Sequence, residues 1–176
     1  MRLLMRNKLL CLTVLAAALF AGCETINDEL PSYDATSKVR VGDVAPAVTI
    51  TSLDGTELTM PNGVTTLLIL FSHTCPDCKN MMSDLQQYLD SNESNFNVMT
   101  VSRGGTTQEI KSFVDELNLT FKVAADESKE IYYKYAEMYV PRCYVVDADG
   151  VIRYMTYEYQ TGDVDRLIAE LNTRNP

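Results

Sequence analysis

The chain of 176 residues predicts an α/β fold: a mixed central sheet with helices on both faces and an N-terminal β-hairpin. Three observations predict it. Residues 65–71 are an almost unbroken apolar run of strand length, which reads as a strand buried on both sides. Helical spacing follows at once, with Met81, Leu85 and Leu89, and a second strand-like run at 96–102 completes a β-α-β unit with parallel strands and a right-handed crossover. Near the C-terminus, Asp149-Gly150 turns one extended run into another, so an antiparallel pair must join the same sheet.

The elements follow in order. Residues 48–53 and 56–59 form a hairpin around Asp54-Gly55, ended by Pro61-Asn62-Gly63. After the strand at 65–71, residues 76–90 make the first long helix, and 96–102 the next strand. Thr106-Thr107-Gln108-Glu109 is a capping-box pattern, and Ile110, Phe113, Val114 and Leu117 then repeat at helical spacing. Residues 119–124 are a short extended segment. Residues 128–138 read as a helix with Ile131, Tyr135 and Met138 on one face, and its tyrosines Tyr132, Tyr133, Tyr135 and Tyr139 as packing and rim. Pro141 interrupts; 143–147 and 151–157 are the closing hairpin, and 163–174 the last helix, with Val164, Leu167, Ile168 and Leu171 on its apolar face.

The N-terminus stands apart from this domain. Arg2, Arg6 and Lys8 precede an apolar run at 9–20, and Ala21-Gly22-Cys23 closes it with small residues. That order of basic, apolar and cleavage regions is an export signal, and the run is shorter than the roughly 20 residues that span a bilayer. Phe20-Ala21-Gly22-Cys23 resembles the lipobox of bacterial lipoproteins, with Phe20 in place of the usual leucine. The resemblance implies cleavage before Cys23, acylation of Cys23, and attachment to the bacterial cell envelope through acyl chains, at the periplasm or the cell surface. The expected organisation is a lipoprotein signal at 1–22, a flexible tether at 23–38 and one domain at 39–176. The mature chain would hold 12 basic and 24 acidic residues, a formal net charge of −12 against −9 for the whole chain. Such a surface argues against nucleic acid as a partner and against charge-driven docking on anionic lipid.

Of five cysteines, Cys11 falls in the signal and Cys23 at its end, leaving Cys75, Cys78 and Cys143. Three thiols cannot all pair within one chain. Cys75-Pro76-Asp77-Cys78 lies between a strand and a helix, where the helix N-terminus favours thiolate over thiol at Cys75 and a short loop lets Cys78 attack a mixed disulfide on Cys75. Asp77 opposes a thiolate by like charge; Lys79 and a protonated His73 would offset it. A structural disulfide or half a zinc site has the same spacing, but a zinc site would need Cys143 and His73, the sole histidine, to converge. The redox reading therefore leads, with no cofactor and no metal required. Cys143, two positions after Pro141, reads as a small buried core residue, or else as a third thiol able to exchange with the pair. His73 reads as a loop residue with a candidate tuning role.

These residues together resemble the thioredoxin superfamily, and within it the TlpA/ResA-like exported thiol–disulfide oxidoreductases. Gly42-Asp43-Val44-Ala45-Pro46 with the hairpin after it is similar to the entry segment of that group, Leu68-Ile69-Leu70-Phe71-Ser72 with the cysteine pair to its active-site strand and loop, and Val140-Pro141 to its cis-proline segment. The match covers roughly residues 40–172, the span of a typical single domain. It implies a thioredoxin-like fold, a cis Val140–Pro141 bond whose Val140 backbone receives a substrate chain, protein partners with cysteines or disulfides, and a membrane-side electron donor. It favours the reducing direction. The chain departs from the pattern in lacking tryptophan, in carrying Ser72-His73-Thr74 before the first cysteine, and in placing Ile69 and Met81 where relatives carry carboxylates. Help with the Cys78 proton would then come from His73, Asp77 or water. Two other readings remain at this point. Ser72-x-x-Cys75 partly fits a peroxiredoxin-like peroxidase, although Leu68 stands where that family has proline, and a non-catalytic lipoprotein of the same fold would use the domain for binding alone.

Overall fold

A computed structural model describes residues 30–174 of the chain; the signal region and Cys23 lie outside the described residues. Strands β1 (Val48–Thr51) and β2 (Glu57–Met60) pair antiparallel as a separate two-stranded sheet, with Val48 opposite Met60. The central sheet has the order β5 (Lys122–Ala124), β4 (Asn97–Ser102), β3 (Thr66–Phe71), β6 (Arg142–Val146), β7 (Ile152–Tyr157). Strands β3, β4 and β5 are parallel, whereas β6 runs antiparallel to β3 and β7 antiparallel to β6.

All six residues of β3 are buried, which explains its continuous apolar sequence. Successive side chains point to opposite faces and so divide the interior in two. Leu67, Ile69 and Phe71 pack against helices α1 (Pro76–Ser91), α2 (Thr107–Leu117) and α4 (Asp163–Arg174), through residues such as Met82, Phe113 and Leu167. Leu68 and Leu70 face the other way, onto Val48 and Met60 of the hairpin, Tyr144, and Tyr132 and Tyr135 of α3 (Tyr132–Tyr135). The Thr106–Glu109 capping box forms as the sequence predicts, with both reciprocal bonds present.

Two segments differ from the sequence reading. The helix expected over 128–138 is a single turn. At its start the Asp126 carboxylate takes the backbone N–H groups of Glu130, Ile131 and Tyr132, and Lys129 holds φ +64°. At its end Ala136 turns extended and bridges Ser37, so tertiary pairing takes the backbone that helix propensity would have used. Residues 33–38, expected within the tether, pack onto the sheet. A 3-10 turn spans Asp34–Thr36, Thr36 is buried, and the Lys38 N–H donates to the Tyr135 carbonyl at 2.9 Å. Among the described residues no helix is long and apolar enough to cross a membrane.

Candidate active site

The site is built where β3 delivers the chain to α1. Cys75 caps the helix in an extended conformation (φ −90°, ψ 119°), and its sulfur accepts the Cys78 N–H at 3.3 Å. Pro76 takes the first helical position, where a missing N–H costs nothing. Cys75 is half-buried and Cys78 fully buried; both are free thiols. The Ser72 N–H points at the Cys78 sulfur, 3.5 Å away.

These surroundings separate the two thiols. The hydrogen bond from the Cys78 thiol acts most strongly on Cys75 and brings it down to about 6; partial burial works against this, the Cys78 and Asp77 N–H groups add to it, and the Asp77 carboxylate opposes it. Burial, and then the hydrogen bond given to Cys75, push Cys78 far above the ordinary thiol range. Near neutral pH the site therefore holds one accessible thiolate and one buried thiol.

The second wall comes from β6. The Val140–Pro141 peptide bond is cis, and the Val140 carbonyl lies 3.6 Å from the Cys75 sulfur, close enough to accept from it while it is a thiol. Deprotonation of Cys75 removes that donor and leaves the carbonyl free for another partner. Pro141 is buried, and its carbonyl accepts the Glu158 N–H at 3.1 Å.

The other residues singled out from the sequence lie apart from this contact. Cys143 sits opposite Ile69 in the sheet register and is completely buried. Its thiol bonds to Met81 Sδ at 3.2 Å, one turn beyond Cys78, and burial pushes it up to about 12, which suits a core residue. His73 turns toward α2, where its ring packs on Gly105. Gly105 has φ +84°, and a Cβ there would lie 2.8 Å from Nδ1 of His73, a nitrogen that is buried without a hydrogen-bond partner. His73, Lys79, Glu109 and Phe113 are among the residues lining a cleft of about 400 Å3 between α1 and α2. Asp77 is exposed.

Sequence reasoning did not single out the supports of the Val140 wall. Arg142 follows Pro141 directly and is completely buried. Its Nε donates to the Met138 carbonyl at 3.0 Å, Nη1 to Ser37 Oγ at 2.6 Å, and Nη2 to Thr36 Oγ1 at 2.7 Å. Tyr33 stacks on Tyr157 with ring centroids 4.8 Å apart and meets Tyr139 at a tilt of 44° with centroids 4.4 Å apart. A charged residue at the head of an apolar strand was the available signal.

Residues 41–155 match the AhpC/TSA family. The chain belongs to that family. Over 99% of its length it is 28% identical to the thiol-disulfide oxidoreductase ResA of Oceanobacillus iheyensis, covering 90% of that relative. Among solved structures it superposes on a candidate protein disulfide isomerase of Bacteroides thetaiotaomicron, with TM-score 0.73 and 23% identity, covering 79% of this chain and 92% of the other. It likewise resembles StoA of Bacillus subtilis, with TM-score 0.63 and 21% identity, over 73% of this chain and 98% of that one. The AhpC/TSA member described here thus has a thioredoxin-like fold.

Proposed function

We propose that this protein is an exported thiol–disulfide oxidoreductase that works on cysteines of partner proteins, in the reducing direction. The observation that carries the reading is the pairing of a thiol lowered to about 6 at Cys75, beside the Val140 carbonyl, with a buried, protonated Cys78 behind it. The similarity to ResA over almost the whole chain supports the same chemistry.

In this reading a partner segment lies extended along Val140 and takes its free carbonyl as a strand would. The Cys75 thiolate attacks one sulfur of the partner disulfide; a Cys75–partner S–S bond forms, and the second partner sulfur leaves as a thiolate. Cys78 then gives its proton to water or to that thiolate and attacks the Cys75 sulfur. The Cys75–Cys78 disulfide forms, the first partner sulfur departs as a thiolate, and two electrons have passed to the partner. A membrane-side dithiol donor then returns the pair to the reduced state.

Cys75→Ser should abolish reduction of a protein disulfide such as that of insulin. Cys78→Ser should arrest the reaction at the mixed disulfide and retain partners in a thiol-sensitive complex. Full reductase activity in Cys75→Ser would refute the mechanism, and peroxide consumption without disulfide reduction would favour a peroxidase. We assign residues 1–22 to an export signal and Cys23 to a lipid anchor on the pattern of the sequence. Cys23→Ser should move the protein from the membrane to the soluble fraction; unchanged membrane association would reject the anchor.

A further inference from the structure

The sheet edge that carries Cys75 and Val140 also carries two cations that the dithiol chemistry leaves unused. Arg103 follows β4, and its N–H donates to the Phe71 carbonyl at 2.6 Å, at the point where the Cys75 loop begins. Its guanidinium carbon lies 4.7 Å from the centre of the Tyr132 ring, and its Nε is buried without a hydrogen-bond partner. The Tyr132 hydroxyl donates to the Tyr139 carbonyl at 2.7 Å. One ring therefore holds both Arg103 and the residue that precedes Val140. Lys129 lays its side chain over Gly104, so closely that a Cβ on that glycine would lie 2.8 Å from Lys129 Cε.

Among the described residues neither cation forms an ion pair, whereas Lys79, Lys122, Arg153 and Arg166 each sit on a carboxylate. Two acids of the same loop are engaged elsewhere. Asp126 receives the N–H groups of Glu130, Ile131 and Tyr132 together with the Ser128 hydroxyl, and Glu127 receives the N–H and hydroxyl of Thr107. Glu130 is exposed beside them. Among the described residues Arg40, Lys111, Lys134 and Arg142 also form no ion pair, so what sets Arg103 and Lys129 apart is their place at the end of the sheet from which the Cys75 loop begins, with Arg103 already ordered against the Tyr132 ring.

We propose that Arg103 and Lys129 form a recognition rim for an acidic stretch beside the partner's reactive cysteine. The assignment rests on the thiol–disulfide exchange proposed above and names the class of partner it serves. A guanidinium already ordered against an aromatic ring loses little freedom on binding, and its remaining N–H groups match a carboxylate fork. The field of the whole molecule repels acidic partners at long range, so the rim reverses that preference only where a bound peptide passes the dithiol.

The test uses the reduced protein and three disulfide peptides identical around the cysteine, flanked by glutamates, serines or lysines. The glutamate peptide should be reduced roughly five- to tenfold faster than the serine peptide at low salt, a margin of the size that two exposed ion pairs supply, and the margin should shrink at high salt. Arg103→Gln and Lys129→Gln should each pull that ratio toward one, with Arg103→Lys keeping part of it. Lys129 makes no ion pair, so its variant tests the rim even where Arg103→Gln loosens the Tyr132 contact. Fastest reduction of the lysine peptide, or an acid preference unchanged in both glutamine variants, would overturn the rim. Reduction of none of the three peptides would instead overturn the exchange reaction beneath it.

Discussion

Arg142 illustrates what a single residue contributes to the site. A buried guanidinium needs acceptors, and here they are neutral oxygens of Met138, Ser37, Thr36 and Tyr33. Each such bond to a charged group is expensive to leave unmade, because water does not readily replace it in the interior. Ser37→Ala should therefore destabilise the protein by about 1.5–3 kcal/mol, read as a lower denaturant midpoint at constant slope, and Ser37→Thr should restore most of it. A loss under about 0.5 kcal/mol would mean that the guanidinium finds another acceptor. The consequence for function is positional: Arg142 and Val140 flank Pro141, so the bonds that hold the guanidinium also hold the wall facing Cys75.

At the scale of elements, the sequence was most readable where the determinants are local. The continuous apolar run of β3 and the 3.6-residue repeats of α1, α2 and α4 announce buried strand and amphipathic helix by themselves, and the Thr106–Glu109 box marks a helix start within four residues. The 128–138 segment failed this reading because its ends are decided by the Asp126 carboxylate and by the Ser37–Ala136 bridge, a pairing of residues about a hundred positions apart. The same distance hid the role of Tyr33 and Ser37, which look like tether until Arg142 and Tyr157 are brought beside them. In the site, the cysteine pair and the proline segment could be read from the chain. The approach of Val140 to Cys75, the turning of His73 onto Gly105 and the setting of Arg103, on the Tyr132 ring with its Nε unbonded, depend on how β3, β4 and β6 align at one edge of the sheet.

Across the whole molecule, the strand order 5-4-3-6-7 puts the C-terminal ends of β3 and β4 and the start of β6 at the same edge. That alignment gathers helix start, buried thiol and proline segment around one half-buried sulfur, while the three long helices on one face keep Cys78 and Cys143 from solvent. This arrangement makes the two thiols unequal: Cys75 is the thiolate and Cys78 stays protonated. A thiol lowered to about 6 is mostly protonated below that pH and mostly thiolate above it, so its reactivity must climb through pH 6 and level off by neutrality. The direct measurement is the pH dependence of iodoacetamide alkylation of the reduced protein, with the modified cysteine located by mass spectrometry. Cys75 should be modified with a midpoint near pH 6, and Cys78 and Cys143 should stay unmodified throughout the neutral range. A midpoint near the ordinary thiol value of about 8.5, or modification of Cys78 before Cys75, would contradict it.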